Sequence, residues 1–213
     1  MISLESVRCY YPASDIVHGY DHIQRVWELA KYLTEREKAD WEIVQAAVLF
    51  HDAQPPQTNA QATRSQHQSD SATLAEAFLH KEGWDDQRIS AVTHCIRSHR
   101  FRNSDEKPQT LEAKILFDAD KLDAIGAVGV ARAIGYAVQH GQPFFAQPSQ
   151  QFREEGILND GEHHSAYHEY LYKLIQLKDL LFTPSAQQLA QEKHRIMKQF
   201  FEHLLIECEF GHL

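Results

Sequence analysis

Five consecutive apolar residues, Ala46-Ala47-Val48-Leu49-Phe50, run without interruption into His51-Asp52. A run this apolar reads as a short buried helix. An imidazole beside a carboxylate at its end brings two metal-ligand types together with no intervening loop to order. Neighbouring side chains on a helix diverge by about 100°, so both reach one ion only when it lies between their directions. A helix end next to a loop relaxes that constraint. Gln54-Pro55-Pro56 provides such an end just after the pair.

The chain has 213 residues and 43% hydrophobic content, enough to build one domain's core around this run. A net charge of −9 and a pI near 5.8 argue against a partner that is a nucleic-acid polymer, which calls for a basic field. Cys9, Cys95 and Cys208 are odd in number, far apart and without metal-site spacing. They fit reduced cytosolic thiols better than a disulfide framework. The first residues lack the basic and apolar regions of a signal peptide, and no run approaches the ~18 apolar residues of a membrane span. The expectation is a soluble, cytoplasmic protein with no membrane partner.

Helical periodicity recurs along the chain and strand-like alternation is scarce. Ile23, Val26, Trp27, Ala30 and Leu33 form one apolar stripe in a helix that His22 opens. Asp40 caps the helix Trp41 to His51, and a polar loop over residues 53–69 follows. Two helices are expected over 71–81 and 86–99, with Asp85 as a cap, then a polar turn over 100–108. Thr110 caps a helix carrying Ala113, Ile115, Leu116, Ala119 and Leu122, and Gly126 and Gly129 permit close packing in the segment up to Val138. Residues 141–162 read as a long irregular insertion. Helices over 165–181 and 184–207 close the chain, the last opening at Thr183-Pro184. The fold class is all-α: a helical bundle in a single domain spanning 1–213, with a metal-binding core over about 18–138 and C-terminal helices over about 164–208 packed on it.

A metal site needs more ligands than His51-Asp52. His22 lies upstream, within the segment His18 to His22, and three carboxylates compete downstream: Asp118, Asp120 and Asp123. Asp118 and Asp120 fall on different helical faces, whereas Asp120 and Asp123 share one. Imidazoles with carboxylates suit Mn, Fe, Co, Ni, Zn or Mg and do not choose among them, while the lack of a thiolate cluster counts against structural zinc.

Together these segments resemble the HD-domain superfamily of metal-dependent phosphohydrolases, in particular its small single-domain bacterial members. The likeness rests on His-Gly-x-x-His-x-x-Arg-Val from His18 to Val26, His-Asp at 51 and 52, Ile-Arg-Ser-His from 96 to 99, and the long run from Glu112 through Asp-Ala-Asp-Lys-Leu-Asp to Arg132. It extends nearly to the C-terminus. It implies an HD fold with a divalent metal between helices, held by His22, His51, Asp52 and Asp120. Asp120 matches the family's downstream aspartate residue for residue, leaving Asp118 and Asp123 as supporting groups. The implied activity is hydrolysis of a phosphate ester or anhydride, with a small phosphorylated substrate and nucleotides as the favoured class. Asp52 would also steer the attacking water. The chain departs from its relatives just after the pair, where Gln54-Pro55-Pro56-Gln57 opens a Gln-rich loop.

Other chemistry-bearing residues have two readings each. Lys121 either neutralises substrate phosphate or solvates a helix surface, and His18 either binds phosphate or donates a proton, or else caps and packs. His94 and His99 offer a second metal site, although their spacing of five does not put them on one face; His99, near a helix end, is the better substrate-facing candidate. The resemblance carries two alternatives, a di-iron oxygenase using extra histidines and a nucleotide-sensing module without turnover. His163, His164 and His168 lack the glutamate of a zincin motif and read as surface histidines. Arg25, Arg64, His67, Arg97, Arg100, Arg102 and Arg132 read first as solvated surface with anion docking as the alternative, and Trp27 and Phe200-Phe201 as core. Substrate identity, ester against anhydride cleavage, metal identity and number, and oligomeric state are not written in these residues.

Overall fold

The computed structural model describes residues 2–11, 19–54, 67–100 and 106–209. The described residues contain helices and no strands, in agreement with the all-α expectation. They group into two compact units, one formed by Met1–Asp120 with Leu181–Ala186 and the other by Lys121–Leu180 with Gln187–Leu213.

The first unit begins with a short helix α1 (Leu4–Val7), closed by a reciprocal capping box between Ser3 and Ser6, and a single 3-10 turn (Arg8–Tyr10). Sequence periodicity gave no hint of either. Helix α2 (Tyr20–Glu37) carries the expected stripe, with Ile23, Val26, Ala30 and Leu33 fully buried. Asp40 caps α3 (Trp41–Phe50) as expected, its carboxylate accepting from the Glu42 and Ile43 amides. From Ala46 to Phe50 no side chain of α3 is exposed. Burial of each larger apolar side chain in that run contributes about 1.5–3 kcal/mol. Phe50 packs between Tyr10 and Phe78, with ring centroids 6.1 and 5.1 Å away. Helices α4 (His67–Lys81) and α5 (Asp86–Ser98) follow, the latter capped by Asp85, and α6 (Leu111–Asp123) starts after Thr110, whose hydroxyl accepts from the Ala113 amide.

The second unit holds α7 (Gly126–Gln139), α8 (Gln150–Glu155), α9 (Ala166–Tyr172), a 3-10 helix (Leu174–Leu180) and most of α10 (Pro184–Cys208). A Cβ at Gly129 would lie 2.2 Å from the Ala124 carbonyl oxygen, so only glycine permits this close start of α7. Two expectations need correction. The segment 141–162 is not wholly irregular: Ser149 caps α8, and Gly156 ends it at a φ of 71°. Residues 165–181 do not form one α-helix, because the chain tightens after Tyr172 into three-residue turns that stack the buried Leu174 and Leu177 directly over each other. In α10, Phe201 is fully buried against Tyr170, but Phe200 is 39% exposed and is not core.

His168 is also fully buried, contrary to the surface reading. Its Nε2 donates to Glu162 at 3.1 Å, and the Ser165 hydroxyl lies 2.7 Å from its Nδ1. Glu162 additionally accepts from the amides of Ser149 and Asn159, and these two bonds first of all hold its carboxyl down at about 2. Its folded value lies below the ordinary 4.5, so the stabilisation is complete above that value and is lost as pH falls from there through about 2. In urea unfolding measured from pH 7 downward, Glu162→Gln is expected to be less stable than wild type at neutral pH, with the gap closing below pH 4. A constant gap would contradict this linkage.

Candidate metal centre

Four helices of the first unit bring a histidine or an acid to one place. His22 lies in the first turn of α2, after the N-cap Gly19. His51 is the C-cap of α3, with Asp52 in the turn beyond it, and His99 is the C-cap of α5. Asp120 comes from α6. The imidazole Nε2 of His22 stands 3.5 Å from Asp120 Oδ1 and 3.9 Å from Asp52 Oδ2. That same Asp52 oxygen is 3.8 Å from His51 Nε2, while the other, Oδ1, faces His99 Nε2 at 3.5 Å. The rings of His22 and His51, and of His51 and His99, meet edge to face with centroids 5.5 and 5.0 Å apart.

Two of these rings have an assignable tautomer. His51 Nδ1 donates to the Val48 carbonyl and His99 Nδ1 to the Ile96 carbonyl, each three residues back in the last turn of its own helix. These bonds satisfy helix-end carbonyls and, in a neutral ring, leave the lone pair on Nε2. Burial, working against the nearby Asp52 charge, pushes the His51 imidazole down to about 4, so it stays neutral. Its Nε2 is buried and has no hydrogen-bond partner among the described residues. The C-terminal ends of α3 and α5 add partial negative charge beside it.

Lone pairs and carboxylate oxygens facing one another in a buried site are the environment of a cation. Donor atoms about 2.1 Å from one ion stand about 3 Å apart at right angles and about 4 Å apart across it. The separations of 3.5, 3.8 and 3.9 Å fall in that range. Among the described residues His22, His51 and Asp52 form a group able to hold a metal ion, with one ligand atom from each lying within 4.8 Å of the others. The His51 Nδ1 bond to a carbonyl is the outer support that ligating histidines ordinarily have.

The three downstream carboxylates separate cleanly. Asp118 accepts from the Phe182 amide, the Thr183 amide and the Thr183 hydroxyl at 2.9, 2.8 and 2.7 Å, tying the start of α10 to α6. Asp123 is buried and paired with Arg132 at 2.7 Å. Asp120 is the one placed beside His22. The second-metal reading of His94 is not sustained: its Nδ1 bonds Glu106 and its Nε2 accepts from the Gln109 amide, so both nitrogens fasten the segment before α6. Lys121 is 7% exposed, which removes its solvated-surface reading. Arg25 pairs with Asp21, and Arg97 with Glu106. His18, Arg64, Arg102 and the Gln-rich loop from Pro55 lie outside the described residues, as does the side chain of His67.

A model of the HD domain matches residues 19–125, a span that contains every group of this cluster. The chain belongs to the HD-domain family. HD domains bind divalent metals, and the histidine and aspartate cluster of this HD protein fits that property. It is 33% identical over 194 residues to the uncharacterised Bacillus subtilis protein YpgQ, covering 88% of this chain and 82% of that one. The crystal structure of YpgQ in complex with ADP matches 95% of this chain and 96% of that chain at 31% identity, with a TM-score of 0.70. An HD-superfamily hydrolase from Bacillus thuringiensis matches at 27% identity and a TM-score of 0.64, over 89% and 86% of the two chains.

Sequence reasoning missed the groups that hold the His51-Asp52 turn in place. The Tyr11 hydroxyl donates to the Leu49 carbonyl at 2.7 Å, and the Ser71 hydroxyl donates to the Ala53 carbonyl at 2.9 Å. Neither sits in a motif, and no spacing rule would have found them.

Asp118 is thereby separated from the cluster's chemistry. Asp118→Ala is expected to lower unfolding stability by about 2–4 kcal/mol, since it strands the two buried donors of Thr183, and to leave divalent-metal affinity within about threefold of wild type once folded. Urea unfolding and metal titration of one preparation check both, and a large affinity loss without destabilisation would reverse the assignment.

Proposed function

We propose that this HD protein is a metal-dependent phosphohydrolase that cleaves a phosphate ester or anhydride, with a nucleotide as substrate. The observation that carries the reading is the buried convergence of His22, His51, Asp52 and Asp120, acceptor groups from three helices meeting at 3.5 to 3.9 Å. These four would be the metal ligands. A bound divalent ion supplies Lewis acidity, offsetting charge on phosphate oxygens and making a water more acidic.

The chain's own groups do the rest. Asp52 Oδ2 faces His22 and His51, which leaves Oδ1 turned to His99. Asp52 Oδ1 and His99 Nε2, 3.5 Å apart, would together orient the attacking water. The carbonyl bond of His99 fixes its ring for that task. Lys121, next to Asp120 in sequence and buried, is the cation proposed to neutralise phosphate. Nucleotides are favoured because YpgQ, similar across nearly the whole chain, crystallised with ADP. The di-iron alternative has lost His94 to Glu106 and Gln109.

The test is a panel of nucleoside mono-, di- and triphosphates and simple phosphoesters, with Mn, Mg, Co, Ni, Fe and Zn each added to metal-stripped protein. Phosphate or pyrophosphate release that requires the metal is expected. Asp52→Ala and Asp120→Ala should each lower it by about 10³-fold, equivalent to ~4 kcal/mol of lost transition-state stabilisation. Metal-loaded protein inert across the panel, together with unchanged metal affinity in Asp120→Ala, would overturn the reading; tight nucleotide binding without product would make the chain a sensor instead.

A further inference from the structure

The end of α3 poses a specific accounting problem. A helix leaves its last four carbonyls without intrahelical partners, and here those of Val48, Leu49 and Phe50 lie on fully buried residues. Val48 is satisfied by His51 Nδ1 and Phe50 by the Ala53 amide at 3.1 Å. Leu49 is satisfied from outside the helix, by the Tyr11 hydroxyl at 2.7 Å. Tyr11 also lies beside Asp52: burial first, then the nearby Asp52 carboxylate, push its phenol well above the ordinary value, so the proton stays on the Leu49 bond. One hydroxyl therefore holds the carbonyl two residues before His51 from a place beside Asp52. Tyr11 is 6% exposed, and the Gln54 amide bonds the Tyr10 carbonyl at 3.1 Å, so the N-terminal segment grips both sides of the turn.

We propose that Tyr11 is a positioning residue for the metal centre: its hydroxyl, bonded to the Leu49 carbonyl, sets the direction in which His51 and Asp52 present their ligand atoms. The proposal rests on the metal-site reading of these residues. A turn of adjacent residues brings two side chains to one ion only at a particular backbone setting. A buried phenol whose proton is engaged on the Leu49 carbonyl fixes that setting as no apolar contact could. Removal of the hydroxyl alone leaves the ring's packing in place and strands the Leu49 carbonyl.

The test compares Tyr11→Phe with wild type, with Asp52→Ala and with Val7→Ala, which removes a fully buried side chain from the same segment without touching the Tyr11 hydroxyl. Affinity for Mn and Co is read by competition with a chelating dye, ligand geometry by the visible spectrum of the Co-loaded protein, and stability by thermal unfolding. Expected is a loss of affinity of about tenfold or more in Tyr11→Phe, in line with losses on removing outer-shell groups. A shifted Co spectrum should accompany it, while Val7→Ala lowers the melting temperature and keeps wild-type affinity and spectrum. Wild-type affinity and spectrum in Tyr11→Phe would overturn the positioning role alone, as would losses in Val7→Ala of the same size. If wild type takes up no metal, or Asp52→Ala binds as tightly as wild type, the metal reading itself fails and the proposal with it.

Discussion

Burying acceptors against acceptors is the constraint around which the first unit is organised. His51 and His99 both cap helices, both spend their Nδ1 proton on a carbonyl of their own last turn, and both turn Nε2 toward the Asp52 carboxylate. Such an arrangement, left to itself, is destabilising: an unsatisfied buried polar group costs about 1–3 kcal/mol, and a charged one more. A chain that holds these groups together by local folding energy alone needs a well-packed scaffold. The fully buried run from Ala46 to Phe50 provides it. Stability invested in α3 is thus what keeps a site strained toward a cation from relaxing.

The same constraint explains why the supports are polar and come from elsewhere in the chain. A turn that follows a buried helix exposes carbonyls that water cannot reach, so hydroxyls must reach them. Tyr11 serves Leu49, and Ser71 serves Ala53. Asp118 does comparable work on the neighbouring ligand helix, where three donors from Phe182 and Thr183 converge on its carboxylate two residues before Asp120. Burial leaves that carboxyl above its ordinary value, although the donated bonds act against the rise. The α3 turn is thereby held by hydroxyls from outside its own helix, and α6 is tied to the start of α10.

How much of this was legible in the sequence follows from how local each cause is. Caps at Asp40, Asp85 and Thr110 and the stripe of α2 depend on neighbours a few residues away, and they stand where the spacing put them. The break after Tyr172 and the short α8 were not visible, because they are set by packing of Leu174, Leu177 and Tyr172 against distant chain. The ordered histidines and aspartates were readable as a family pattern, but helical geometry left Asp118, Asp120 and Asp123 as equals. Their partners Thr183 and Arg132 lie 65 and 9 residues further on, and only the fold reveals that two of the three are already engaged. His168 was misjudged for the same reason: a polar neighbourhood in sequence, Glu162 and Ser165, becomes a buried hydrogen-bonded set in space.

The aspartate of the His-Asp pair does what a histidine at its position could not. An imidazole offers one lone pair in the ring plane, whereas a carboxylate offers two oxygens about 2 Å apart, each able to serve a different partner. Asp52 Oδ2 is turned to His22 and His51, and Oδ1 to His99. Its charge thus serves the His22-His51 side and the His99 side at once. Separation of those two tasks onto two residues would have required another buried charge, with another desolvation cost. The adjacency of His51 and Asp52 then has a physical meaning beyond recognition: one helix end, fixed by one phenol, aims a neutral ligand and a two-sided anion from consecutive residues.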